Sequence, residues 1–229
     1  MSARYGIGVG TGFLSGLLTR DLSPLRRGLL EHPFWRGLET GETTRAQLAQ
    51  FALQDAWLIR EVHRLDGLAI AKAPNLEAAD ALIAKLAFKR EAWGALVRFG
   101  RALGLSERAF DDPVPLPACA GLTAHFYYHL VRSSFAEAVA AIGASETIFL
   151  ELCARVERPL LEVYGFTADE VAFFSVHEAL EPAERALSGL LAPLVQTDAE
   201  RERVTRAVEL SHGFERLFYD GLLELPPPR

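Results

Sequence analysis

Four capping motifs divide the sequence into helical segments. At four points a Ser or Thr is followed three residues later by Glu or Gln, the reciprocal pattern that satisfies the first backbone N–H groups of a helix. These pairs are Thr44/Gln47, Ser134/Glu137, Thr167/Glu170 and Thr197/Glu200. Each precedes a run in which apolar residues recur at intervals of three and four, and no stretch alternates with a period of two. The sequence therefore predicts an all-α protein, a bundle of about seven helices.

The chain shows no sign of division into domains. Its 229 residues contain no linker rich in Gly and Ser or in charge, so we expect a single domain over residues 1–229. Residues 1–20 are apolar and Gly-rich but lack a small-residue cleavage site, so they are predicted to form a loosely packed N-terminal arm. Residues 224–229 include three consecutive prolines and are predicted to be an extended tail.

The charge and cysteine content exclude several classes of protein. Lys and Arg number 24 against 30 Asp and Glu, and no basic cluster provides a surface for nucleic acid. No apolar stretch reaches the roughly 20 residues needed to span a bilayer. Cys119 and Cys153 are too few for a disulfide framework and indicate reduced thiols. We therefore expect a cytoplasmic protein without nucleic-acid or membrane partners.

Polar side chains interrupt the apolar faces of four predicted helices. Asp55 lies within the apolar stripe of the second helix, Glu146 within that of the fifth and Glu215 within that of the seventh. His177 and Glu181 lie one turn apart on the apolar face of the sixth. Two interpretations stand: each group is neutralised by its own neighbour, or all converge on one interior cavity. Their occurrence on helices that must pack together favours a buried small-molecule site.

These residues suggest two kinds of chemistry. Carboxylate and imidazole donors suit iron or manganese, and the candidate ligands are Glu146, His177, Glu181 and Glu184. Against a metal, the Glu-x-x-His pairs common in di-iron bundles are absent. In a metal-free protein, Glu146, His177 and Glu215 would instead transfer protons to and from a substrate. Tyr127, which lies between His125 and His129 on the fourth predicted helix, is a candidate to line the same pocket.

Several segments together resemble the TenA/PqqC superfamily, which has the haem-oxygenase-like helical fold. They are HPFW with the following GLETGETTRAQLAQFALQDAWL, KAPN, FGRALGLSE, SSFAEAVAA and YGFTADEVAFFSVHEALE. The resemblance extends over nearly the whole chain. It implies a haem-oxygenase-like bundle, and it implies less about the reaction because the superfamily contains several chemistries.

One branch of this superfamily, TenA, hydrolyses thiamin-derived aminopyrimidines. By resemblance to it, Asp55 corresponds to the aspartate that holds the pyrimidine amine and Glu215 to the glutamate that relays protons. The nucleophilic cysteine of that branch is replaced by Ser145, and the tyrosine one turn later by Phe149. Serine without an evident base is a poor nucleophile. Ser145 and Phe149 therefore join Asp55 and Tyr127 as predicted substrate-binding residues.

The other branch contains PqqC and iron-dependent oxidases. The segment FFSVHEALE is similar to its Phe-Phe-x-x-His-x-x-x-Asp-x-x-His element, which implies His177 and Glu181 as ligands, with Glu146 from the preceding long helix. Glu184 stands in place of the second histidine of the element. The glutamate and histidine that this branch carries on the third helix have no counterpart, because residues 85–92 read KLAFKREA.

Three functions follow from these comparisons of residues. The first is an oxidase that acts on a small amine or aromatic metabolite, with iron, manganese or no metal. The second is a TenA-like hydrolase of thiamin-related pyrimidines that uses acid–base chemistry through Glu146 or Glu215 in place of a thiol. The third is a binding protein without catalysis. The resemblance also leads us to expect a homodimer or larger homo-oligomer.

Overall fold

The computed structural model describes residues 13–177 and 181–224, without the side chains of Ala87, Phe88, Glu181, Ala183 and Glu184. In these ranges all regular structure is helical, with no strand, which confirms the predicted class. The same ranges contain ten α-helices rather than about seven. They are α1 (Phe13–Gly16), α2 (Ser23–Leu30), α3 (Pro33–Thr40), α4 (Arg45–Lys72), α5 (Leu76–Ala102), α6 (Pro117–Arg132), α7 (Phe135–Glu162), α8 (Ala172–Val176), α9 (Glu181–Leu191) and α10 (Asp198–Glu224). No helix in the described ranges is both long and apolar enough to cross a membrane.

The long helices pack side by side. α4 and α5 are joined by only three residues and pack against each other, as expected of an antiparallel pair. α10 packs against both α6 and α7, and the shorter α8 and α9 lie against α5 and α7. This arrangement encloses the inward faces of α4, α5, α6, α7 and α10.

The predicted capping motifs fix the starts of the main helices. The Gln47 N–H donates to Thr44 Oγ1 at 3.2 Å, and the Thr44 N–H donates to Gln47 Oε1 at 2.8 Å. Ser134 and Glu137 form the same reciprocal pair at the start of α7. The pairs at Thr167 and Thr197 are also formed, although the Thr167 pair is followed by a turn before α8 begins.

Prolines lie in the first turn of several helices. At the His32–Pro33 corner Pro33 begins α3, and His32 Nδ1 accepts from the Phe34 N–H at 3.3 Å. α6 likewise begins at Pro117. The segment of the predicted sixth helix contains α8 and α9, which flank residues 178–180 outside the described part, and Pro182 lies in the first turn of α9. A proline in the first turn loses no helical hydrogen bond.

The beginning of the described chain is packed rather than loose. After α1, residues 17–21 form a short π-helix, and Leu14, Leu17 and Leu18 are buried. They belong to one of two hydrophobic clusters, which also includes Leu122 and Ile142. The predicted loose arm is therefore not found over residues 13–20, while residues 1–12 lie outside the described part, as do residues 225–229 of the predicted tail.

The second hydrophobic cluster is built around aromatic rings of α3, α4, α8 and α10. It includes Phe51, Phe173 and Phe218, while Leu58 packs against both clusters. A cavity lies where the two clusters meet, since residues of each contribute to its wall. The fold thus leaves a space between two apolar cores, and this space receives the inward polar groups.

Candidate active site

The cavity collects the inward polar residues of several helices. Its volume is about 120 Å³, and its wall comes from α4, α5, α6, α7 and α10 together with His177 at the end of α8. Most of the wall is aliphatic or aromatic. Six of the predicted site residues line it: Asp55, Ser145, Glu146, Phe149, His177 and Glu215. The structure therefore brings together groups that are spread over 160 residues of sequence.

Asp55 presents a buried carboxyl group to the cavity from α4. It is 8% exposed, and among the described residues it forms no salt bridge. Burial raises the pKa of Asp55 from 3.8 to about 7, because removal from water disfavours the charged form. At neutral pH this carboxyl group is therefore present in both protonation states.

Glu215 is the second buried carboxyl group, presented from α10. Tyr219, one turn later, donates a hydrogen bond to Glu215 Oε1 at 2.9 Å. Glu215 Oε2 and Ser145 Oγ are both buried without a hydrogen bond of normal geometry in the described part of the chain. Burial raises the pKa of Glu215 to about 8, although the nearby Tyr219 and Ser145 hydroxyls lower it in part.

Tyr219 is near enough to both carboxyl groups to feel their charge, and it is hydrogen-bonded to Glu215. Burial raises its pKa well above 10, and the negative charges of Glu215 and Asp55 raise it further. The ring packs edge-on against Trp35, with the ring centres 5.2 Å apart. Tyr219 consequently stays protonated and acts as a hydrogen-bond donor at any pH near neutral.

His177 is a neutral imidazole in the cavity wall. Its Nδ1 lies 2.6 Å from the Phe173 carbonyl oxygen, so Nδ1 carries the proton and donates it, which makes Nε2 the acceptor. Burial lowers the pKa of His177 to about 4, although Glu146 nearby raises it in part. The ring packs edge-on against Phe149, with the ring centres 5.0 Å apart.

Glu146 belongs to a network of buried charges. Lys85 Nζ contacts Glu146 Oε2, and Lys89 Nζ contacts Asp66 Oδ2. The cross pairs are longer, at 3.8 Å from Lys85 Nζ to Asp66 Oδ1 and 3.6 Å from Lys89 Nζ to Glu146 Oε1. The side chains of Lys85, Lys89 and Asp66 are nearly inaccessible to solvent, whereas Glu146 retains 19% exposure. Glu146 and Lys89 of this network line the cavity.

Tyr127 is the predicted substrate-binding residue that does not line the cavity. Its hydroxyl donates to Glu61 Oε2 at 2.8 Å, and Glu61 lines a separate surface groove between Trp57 and Trp93. On α6 the inward positions are Leu122 and Phe126, one turn apart. Tyr127 follows Phe126 directly and is rotated about 100° around the helix axis, so it cannot share that face.

A sequence model of the TENA/THI-4/PQQC family matches residues 19–225 of the chain. The chain belongs to this family. The match covers every helix that lines the cavity, so the resemblance seen in the individual motifs is confirmed at the level of the whole fold.

Individual proteins are also similar to the chain in sequence or in fold. The chain is similar to a 4-aminobenzoate synthase of Chlamydia trachomatis serovar D, with 24% identity over 216 residues, covering 91% of this chain and 94% of the relative. A crystal structure of a TenA homologue from Pseudomonas syringae superposes with a TM-score of 0.82, at 16% identity over 93% and 94% of the two chains. A Shewanella denitrificans domain with a haem-oxygenase-like fold gives a TM-score of 0.77, at 15% identity over 90% of each.

The described residues do not fit the metal ion of the oxidative branch. A metal ion requires donors with available lone pairs, but Glu146 is already paired with the amino groups of two lysines. In the described ranges no group of three His, Cys, Asp or Glu side chains is arranged to hold a metal. The side chains of Glu181 and Glu184 lie outside the described residues, so their predicted role as ligands stays a prediction.

The sequence reasoning missed Lys85, Lys89, Asp66 and Tyr219. Leu82, Lys85, Lys89 and Ala92 follow one another at intervals of three, four and three residues. This spacing places all four on one face of the helix. Because Leu82 and Ala92 are apolar, this pattern could have predicted that the two lysines point inward. Lysines are rarely buried without a partner, and the partners come from other helices, so the pairing required the structure.

Proposed function

We propose that the protein is an enzyme that binds a small aromatic amine in the cavity and hydrolyses a C–N bond of it by acid–base chemistry. The observation that supports this proposal is the pair Asp55 and Glu215, two carboxyl groups in one apolar cavity with pKa values near 7 and 8. General acid–base groups are most effective when their pKa lies near the working pH.

The cavity suits an amine on a flat ring. Its wall includes Phe51, Phe126 and Phe149, which offer apolar contacts to a ring. Asp55 and Glu215 lack a basic partner among the described residues, so a cationic or hydrogen-bond-donating amino group supplies what they need. In the TenA-like interpretation, Asp55 holds the ring amine and Glu215 faces the reacting centre.

Hydrolysis at such a centre requires two proton transfers. Ionised Glu215 accepts a proton as water attacks the carbon that bears the leaving nitrogen. Protonated Glu215 then returns that proton to the nitrogen as the C–N bond breaks, so that an amine or ammonia leaves and the carboxylate is regenerated. Tyr219 fixes Glu215 Oε1 through its hydrogen bond and leaves Oε2 for the transferred proton.

Calorimetric titration with a 4-aminopyrimidine that also carries an aminomethyl group, whose nitrogen is the leaving group while the ring amine is held, and an assay for released ammonia test this proposal. We expect binding by the native protein, a large loss of binding in Asp55→Asn, and retained binding with lost turnover in Glu215→Gln. Asp80→Asn and Glu209→Gln change exposed carboxylates of α5 and α10, and both should behave as the native protein. Binding that is insensitive to Asp55→Asn would contradict the proposal, and binding without turnover would favour a ligand-binding protein.

A second candidate is an oxidase that forms or consumes an aromatic amine. It is favoured by the similarity to a protein named 4-aminobenzoate synthase, over more than nine-tenths of both chains. In this alternative Glu146 and His177 transfer protons near the substrate while oxygen is the oxidant. Oxygen consumption distinguishes the two candidates: hydrolysis proceeds equally well in anaerobic buffer, whereas oxidation stops.

A further inference from the structure

Four charged side chains from three helices meet beside the cavity. Asp66 comes from α4, Lys85 and Lys89 from α5, and Glu146 from α7. Each lysine contacts one carboxylate closely and lies 3.6 or 3.8 Å from the other. We name these four residues the ion-pair network.

Both lysines of this network come from the stretch KLAFKREA, residues 85–92 of α5. The resemblance to the oxidative branch implies a glutamate and a histidine as metal ligands on this helix. A lysine ammonium is itself a cation and has no lone pair to offer a metal. The chain thus places cations in the region where related proteins place anionic and neutral ligands.

We infer that Lys85 and Lys89 replace a metal ion as the positive charge that holds Glu146 in the cavity wall. A buried carboxylate needs a compensating charge, which a metal ion or an ammonium group can supply. Lys85 contacts Glu146 directly, Lys89 contacts Asp66 directly, and Lys85 Nζ lies 3.8 Å from Asp66 Oδ1. A divalent cation bound to Glu146 would approach two buried ammonium groups, and their repulsion opposes its entry.

Removing the lysines tests this inference, because it takes away the amino groups that contact Glu146 and Asp66. In Lys85→Met/Lys89→Met, we expect a melting temperature well below that of the native protein and a rise of several degrees on addition of manganese chloride. The native protein should show no such rise. Lys72→Met changes the chain's remaining lysine, outside the network, and should respond as the native protein does.

Metal analysis of the native protein gives an independent result that does not depend on a variant that folds. We expect iron and manganese well below one ion per chain after expression in metal-supplemented medium. One tightly bound ion per chain that is lost in Glu146→Gln would overturn the inference. A folded double variant whose melting temperature does not change on addition of manganese would also overturn it. If the double variant does not fold, the same measurement is made on Lys89→Met alone. None of these measurements uses the amine ligand, so they are independent of the proposed reaction.

Discussion

The Tyr219 hydroxyl donates a hydrogen bond to Glu215 Oε1 at 2.9 Å, one turn earlier on α10. This bond joins an acid whose pKa is raised to about 8 to a phenol that stays protonated. Both side chains line the cavity. Because they lie on the same helix, their relative position is set by backbone geometry and does not depend on how the helices pack.

We expect Tyr219→Phe to raise the pKa of Glu215 further above its usual range. The hydrogen bond from Tyr219 lowers that pKa, and its loss removes a donor that favours the carboxylate. An activity that needs ionised Glu215 should therefore shift to higher pH. The free energy of unfolding should fall by about 1 kcal/mol. The pH–rate profile measures the shift, with Tyr128→Phe, an exposed tyrosine, as the control. An unchanged profile would show that Glu215 does not set the pH dependence.

Asp55 makes the stability of the protein depend on pH. The unfolded chain releases this proton near pH 3.8, but the folded protein keeps it until about pH 7. The folded state therefore binds more protons between these values, and the free energy of unfolding falls as the pH rises through that range. The loss is roughly 4 kcal/mol.

We therefore expect Asp55→Asn to be more stable relative to the native protein at about pH 8 than at about pH 4. Urea unfolding at the two pH values measures the difference, and Asp80→Asn, which removes an exposed carboxylate, should show none. A stability difference that is the same at both pH values would mean that Asp55 ionises normally in the folded protein.

The sequence predicted correctly those features that depend on the geometry of a single helix. Asp55 and Glu215 were predicted correctly as inward residues, because helical periodicity alone determines which face a residue occupies. Phe149 and Ser145 followed from the family resemblance and also line the cavity. Tyr127 was predicted from its neighbouring histidines and not from helical periodicity. It does not line the cavity, because it lies on a different face of α6 from Phe126.

The sequence did not predict which side chains of different helices contact each other. The contacts of Lys85 and Lys89 with Glu146 and Asp66 join residues 61 and 23 positions apart, which no local pattern specifies. From the sequence we noted only that residues 85–92 lack the expected glutamate and histidine ligands. The spacing of the two lysines, however, places them on the inward face of α5.

His212 is a buried imidazole that weakens the protein in acid. It is 2% exposed, and neither ring nitrogen has a hydrogen bond of normal geometry in the described part of the chain. Burial lowers its pKa from 6.5 to about 4, so the unfolded chain takes up a proton before the folded protein does. Stability is therefore lost as the pH falls from about 6.5 to about 4, by roughly 3 kcal/mol.

His212→Leu should remove that contribution. We expect the variant to lose less stability than the native protein between about pH 7 and about pH 4.5, and to be about as stable at pH 7, because the only hydrogen-bonding interaction of the ring within the described residues, with the Ala144 backbone, lacks normal geometry. Thermal unfolding across this range provides the measurement. His63→Gln, an exposed histidine of α4, should leave the pH dependence unchanged. If His212→Leu is destabilising at pH 7 by several kcal/mol, the imidazole has a partner after all.

Two buried serines differ in the hydrogen bonding of their hydroxyl groups. Ser211 Oγ donates to the Ala207 carbonyl at 3.0 Å and lies 3.1 Å from His125 Nε2, whereas Ser145 Oγ has no hydrogen bond of normal geometry in the described ranges. Ser211→Ala should lower the free energy of unfolding by about 1 kcal/mol, and Ser145→Ala should lower it by less, because its interaction with Glu215 lacks normal hydrogen-bond geometry. Because the Ser145 hydroxyl lowers the pKa of Glu215, Ser145→Ala should also raise that pKa, which the pH–rate profile would register. Equal losses of stability in both variants would show that Ser145 is hydrogen-bonded in solution, and its hydroxyl would then be unavailable to a ligand.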